Sequence, residues 1–110
     1  MKTENKNGYT LVTSNEDTFI DFFTNFTKNH ENLKEKHLII KILDNFKSTK
    51  ENILLFLKYA EYHQLNGTSF VVVCKHITID DFPEIFNITP TIVEAEDIIE
   101  MENIQRDLGF

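Results

Sequence analysis

Two aliphatic runs, HLIIKIL at residues 37–43 and FVVVC at residues 70–74, are separated by one segment of helical character. No other feature narrows the fold as much. Leu38, Ile39, Ile40 and Ile42 have high strand propensity and surround a single charge, Lys41, while residues 70–74 are apolar without alternation, as in a strand buried on both faces. Between them a helix is expected to carry Ile53, Leu54, Leu57, Ala60 and Leu65 towards the core and to end at Asn66-Gly67, a left-handed helix stop. Ser48-Thr49-Lys50-Glu51 reads as a capping box, with Ser48 as the cap and Glu51 three positions on. A strand, a helix over residues 49–66 and a second strand form a crossover too long for a hairpin. The two strands are therefore predicted to be adjacent and parallel, with the helix packed over them in the right-handed sense.

The flanking sequence extends this unit. Residues 9–13 (YTLVT) read as a strand, and residues 1–8 as a flexible N-terminus. Ser14, with Asp17 three residues later, predicts a helix start, and Phe19, Phe22, Phe23 and Phe26 then form one apolar stripe for the core. Residues 81–86, with Pro83 in the first turn, are expected as a short helix, and residues 87–91 as an extended piece. Thr91 and Glu94 have capping-box spacing, opening a helix that turns Ile92, Ala95, Ile98, Ile99 and Met101 inward. Its outer face carries Glu94, Glu96, Asp97, Glu100 and Glu102, and a last turn is expected over residues 104–108. The sum is an α/β sandwich in one domain spanning 1–110: a small mixed sheet with a parallel βαβ core covered by helices.

Charge and composition remove several function classes. Residues 1–79 hold nine acids and ten lysines, whereas residues 80–110 hold nine acids and only Arg106. No basic stripe is available to displace counterions from phosphates, so nucleic acid is not an expected partner. The acidic end suits a protein partner with a basic surface, with Glu96 and Glu100 as candidate contacts. The longest apolar runs fall far short of the roughly 20 residues of a membrane span, and a cytoplasmic protein is expected. A single cysteine, Cys74, supports neither a disulfide framework nor a redox pair, and as the end of a buried strand it reads as apolar filler. His30, His37, His63 and His76 stand apart in sequence, so no metal is expected. His63, near a helix end, reads as a cation favoured by the helix dipole. Gly8, Gly67 and Gly109 never cluster into a phosphate loop, and no cofactor is expected.

The element order over residues 9–101 resembles the STAS domain of anti-sigma factor antagonists. In that family an aliphatic strand ends in an acid, a loop carries D-S-S-G, and a helix ends at Gly-Gly. A valine-rich strand, a short helix, a short strand and a last helix opening on E-A complete the pattern. The equivalents here are residues 38–43, 44–50, the helix stop at Asn66-Gly67, residues 70–74, residues 81–86, and Thr91 with Glu94-Ala95. The resemblance places Thr49 at the phosphorylated serine, with Ser48 in place of the acid and Glu51 in place of the glycine.

What the resemblance implies is a non-enzymatic regulatory module that binds a protein through this loop and releases it when a hydroxyl is phosphorylated. Thr49 and Ser48 are then the candidate phosphoacceptors, and Asp44, Asn45, Phe46 and Lys50 the candidate partner contacts. Two other classes stay open. Asp44, at the end of a central strand, could serve a small hydrolase or nuclease, and a deep apolar pocket beside the sheet would indicate a small-molecule sensor. The closing residues, Arg106-Asp107-Leu108-Gly109-Phe110, are similar to the end of short proteins that carry a ribonuclease Z label. The enzyme of that name needs an H-x-H-x-D-H cluster for two metals, and this sequence contains none.

Overall fold

The computed structural model describes residues 1–44, 48–75 and 82–109. Its sheet has five strands, β1 (Lys2–Lys6), β2 (Tyr9–Thr13), β3 (Leu38–Lys41), β4 (Phe70–Val73) and β5 (Asn87–Thr89), in that same order in space. β1 is antiparallel to β2, and every other neighbour is parallel. Leu38 pairs with Phe70 and Ile40 with Val72, so the predicted parallel β3–β4 pair is present. Residues 1–8 are not a loose tail: Asn7-Gly8 is a two-residue hairpin loop, with Gly8 at φ +94°, that folds β1 back onto β2. The Met1 amino group reaches Asn15 and Glu16 and anchors the start of that strand.

The parallel connections put α1 (Phe19–Asn29), α2 (Lys50–Leu54) and α3 (Leu57–Leu65) on one face of the sheet, and α4 (Ile92–Asp107) covers the other. On the first face Val12, Leu38, Ile40, Phe70 and Val72 meet Phe19, Phe22, Phe26, Ile53 and Phe56. Leu11, Ile39, Val71 and Val73 meet Ala95 and Ile99 of α4 on the second. β3 and β4 are thus buried on both sides, which is why their sequences do not alternate. The phenylalanine stripe of α1 is core packing, as its spacing predicts.

Several local expectations are corrected. The α1 cap is Thr18, whose Oγ1 accepts the Asp21 N–H at 3.1 Å, and not Ser14. Ser14 is fully buried and its Oγ accepts the Leu43 N–H at 2.9 Å, tying the end of β2 to the end of β3. The predicted helix over residues 49–66 is broken in two, and Leu65, expected inward, is exposed because the register that buries Tyr59, Ala60 and His63 turns it to solvent. Leu55 N–H bonds to Asn52 O and Phe56 N–H to Ile53 O, an i→i−3 tightening that brings Ile53 and Phe56 into one inward line. The expected helix over 81–86 is, within the described residues, a single turn closed by Phe86 N–H on Pro83 O at 2.9 Å. Met101, expected inward, points outward because the register that buries Ala95 and Ile99 turns it to the far side of α4. The last turn expected over residues 104–108 is the end of that helix, closed by Leu108 N–H on Ile104 O at 3.1 Å.

The stop at Asn66-Gly67 is as predicted: Thr68 N–H bonds to His63 O and Gly67 N–H to Gln64 O, with Gly67 at φ +78°. Among the described residues no helix is long and apolar enough to cross a membrane.

Candidate functional site

Three parallel strands end side by side, and residues at and just beyond their C-terminal ends line an open cleft of about 360 Å³. β3 contributes Lys41, Leu43 and Asp44, β4 leads to Lys75, and β5 leads through Pro90 to Val93 at the start of α4. This is the edge where α/β sheets place ligands and partners. Of the sequence-predicted residues, Asp44 is here and exposed, and Lys50 is exposed on the first turn of α2. Asn45 and Phe46 lie outside the described residues. Lys41, Lys75 and Val93 were not read from the sequence, since only the strand order brings them to Asp44.

The two hydroxyls before α2 exchange roles relative to the prediction. Thr49 is the cap: its Oγ1 accepts the Asn52 N–H at 3.1 Å and Asn52 Oδ1 accepts the Thr49 N–H at 3.2 Å, a reciprocal box. Ser48 is not the cap, and its buried Oγ finds no hydrogen-bond partner among the described residues. Thr49→Ala should therefore lower stability by about 1 kcal/mol. Ser48→Ala should be neutral or slightly stabilising, because it removes a buried polar atom that has lost water and gained nothing. Urea unfolding of the two variants checks this, and a Ser48→Ala loss as large as that of Thr49→Ala would contradict it.

Cys74, at the end of β4, has its thiol pushed up to about 11 by burial, with the Asp44 charge adding to the effect. It is held protonated at neutral pH and matches the filler role expected of it.

The acidic helix is modified by one contact. Tyr9 donates its hydroxyl to Glu96 Oε2 at 2.6 Å, fastening β2 to α4. Burial, then the hydrogen bond and charge of Glu96 and the charge of Glu4, raise the Tyr9 hydroxyl to about 12, so it remains a donor. Glu96 is thus engaged within the fold, whereas Glu100 faces water.

The structure also joins two groups that sequence separates. His30 Nε2 and His63 Nε2 lie 2.9 Å apart, and His63 Nδ1 lies 2.7 Å from Thr68 Oγ1. The Thr68 hydroxyl also reaches the His63 carbonyl at 3.3 Å. A consistent proton assignment has Thr68 donate to that carbonyl and accept from His63 Nδ1–H, so His63 Nε2 accepts from His30. His63 is fully buried, and its pKa falls to about 4 through burial and then the nearby His30 and His37. The sequence expectation of a cationic His63 is corrected: burial outweighs the helix dipole, and the ring is neutral. Among the described residues no three of His, Cys, Asp and Glu stand close enough to share a metal ion.

A second open cleft, about 430 Å³ between β1 and α1, is lined chiefly by polar side chains, among them Thr3, Asn5, Asn25, Asn29 and Lys36. It lacks the apolar depth that a small-molecule sensor would use. No protein-family model matches the chain, and no curated protein is similar to it in sequence.

Proposed function

We propose that the protein is a non-enzymatic, STAS-like interaction module of the cytoplasm that regulates or scaffolds a protein partner through the strand-end cleft beside Asp44 and the exposed start of α2 at Thr49 and Lys50. The observation that carries this reading is the composition of the strand-end cleft. Exposed Leu43 and Val93 stand beside Lys41, Asp44 and Lys75, giving apolar area to bury and charges of both signs to orient a partner. The order of strands and helices from β2 to α4 agrees with the family resemblance, apart from the turn that replaces one short helix. Thr49 is exposed and opens α2 next to Lys50, so a phosphate there would add about two negative charges to the start of that helix. That change could release a partner without unfolding the domain, because the first turn of a helix tolerates negative charge.

The test is affinity capture from native lysate with mass spectrometry, comparing wild type with Asp44→Lys, Lys50→Glu and Thr49→Glu. The expected result is one protein retained in near-stoichiometric amount by wild type and lost, by about tenfold or more, with the edge variants. Retention indifferent to all three changes would remove this edge from the reading. Phosphodiester turnover that survives repurification and disappears in Asp44→Ala would replace the reading with the hydrolase alternative.

A further inference from the structure

α4 is apolar on two sides, and only one of them is covered. Ala95 and Ile99 face the sheet, but Val93, Met101, Ile104 and Leu108 are 66%, 54%, 55% and 66% exposed. Their spacings of eight, three and four residues place all four along one outward line, which runs about 22 Å at 1.5 Å per residue. Asp97 interrupts the line, and Glu94 and Glu100 lie on its two sides. A solvated helix face has no need of such a stripe, which holds four of the seven large exposed apolar residues among the described residues of the second half of the chain.

The charge around the stripe says what could cover it. α4 carries six carboxylates and one cation, Arg106. Arg106 is turned inward, its Nη2 donating to Ser69 Oγ at 2.9 Å and to Asn103 Oδ1 at 2.7 Å, so it cannot neutralise an opposing surface. A second copy of this chain seated on the stripe would oppose two acidic rows with no cation between them, and an anionic membrane would be repelled. A straight apolar line on a convex cylinder fits the ridge of another helix, and acids on its flanks fit lysines or arginines at the partner's edges. We infer that the outer face of α4 docks a basic amphipathic helix of another protein.

The test uses a fluorescent helical peptide of about 18 residues made of Leu and Lys, with its leucines at three- and four-residue spacing. A scrambled peptide of the same composition, whose leucines share no face, is the control. Fluorescence polarisation gives affinity, and amide shifts in nuclear magnetic resonance spectra give location. Saturable one-to-one binding is expected, with shifts centred on Val93, Met101, Ile104 and Leu108, and the scrambled peptide should bind at least about tenfold more weakly.

Ile104→Gln with Leu108→Gln should weaken binding about tenfold at any salt. Glu94→Gln with Glu100→Gln should do so at about 0.05 M salt but hardly at 0.5 M. All four positions are exposed, so the fold should survive, and Met101→Gln alone provides a milder version of the first change. Equal binding of the scrambled peptide, shifts centred on another surface, or a dimer held through α4 in sedimentation would each overturn the inference.

Discussion

Phe56→Ala should destabilise the protein by about 3–5 kcal/mol, a large part of the total for a domain of this size. Phe56 is fully buried, and its ring centroid lies 5.8 Å from Phe19, 5.1 Å from Phe23, 5.2 Å from Phe26 and 6.2 Å from Phe70. From the break between α2 and α3 this ring reaches both the α1 stripe and Phe70 of the sheet. Truncation would leave a void walled by rings whose backbones belong to separate elements, so little collapse can refill it. Urea unfolding at neutral pH measures the loss, with Ile20→Ala, 56% exposed on the solvent side of α1, as the matched control expected within about 0.5 kcal/mol. A Phe56→Ala loss below about 1 kcal/mol would mean that the aromatic cluster does not organise this face.

The second large effect is on acid stability. His63 has an ordinary pKa of 6.5 when unfolded and about 4 in the fold, so below pH 6.5 the unfolded chain takes up a proton that the folded chain refuses. The stability contributed by neutral His63 is complete above pH 6.5 and is lost as the pH falls towards 4. At 1.36 kcal/mol per unit the loss is about 3 kcal/mol. His30 is shifted in the same direction, by burial chiefly, with Lys34 acting alike and Glu31 acting against it. The groups facing His63 are His30 from the end of α1, His37 and the Lys36 carbonyl from the segment before β3, and Thr68 after α3. The urea midpoint of wild type should therefore fall steeply between pH 6.5 and 4. His63→Gln should start lower at pH 7 and show a flatter slope. A wild-type midpoint independent of pH across this window would show that the fold accommodates the imidazolium.

The histidine pair shows where sequence reading stopped. His63 follows Tyr59 by four residues and Ala60 by three, and His30 follows Phe26 by four, so each continues an inward stripe that was already visible. Periodicity extended by one position would have put the His63 ring in the core and the His30 ring half-buried at its margin. What it could not supply was their meeting, because the two histidines stand 33 residues apart and come together only where the end of α1 and the end of α3 share one face of the sheet.

The two central strands were legible because burial on both faces forces unbroken aliphatic sequence. β1 was not, because KTENK contains no apolar residue, and its only signal was the Asn7-Gly8 loop. Thr91 caps α4 as predicted, its Oγ1 accepting the Glu94 N–H at 3.2 Å, and the caps of α1 and α2 were misassigned for a different reason. Ser14 and Thr18, or Ser48 and Thr49, offer the same chemistry, and which hydroxyl caps is decided by where the preceding strand lets the chain turn. At the candidate site Asp44 was found as the acid ending a strand, whereas the lysines around it belong to strands that only the sheet order assembles.

That sheet order, identical to the order along the chain, has a consequence for how the protein is made. Each strand leaving the ribosome finds its partner already present as the current edge, so the sheet can grow by accretion with no earlier element held open for a later one. One face escapes this economy. The aliphatic surface formed by Leu11, Ile39, Val71 and Val73 is complete once β4 is in place, yet its cover, α4, follows only after β5. A nascent chain paused before Thr91 therefore presents a finished sheet with one bare side, the moment in its biogenesis when it most needs a chaperone.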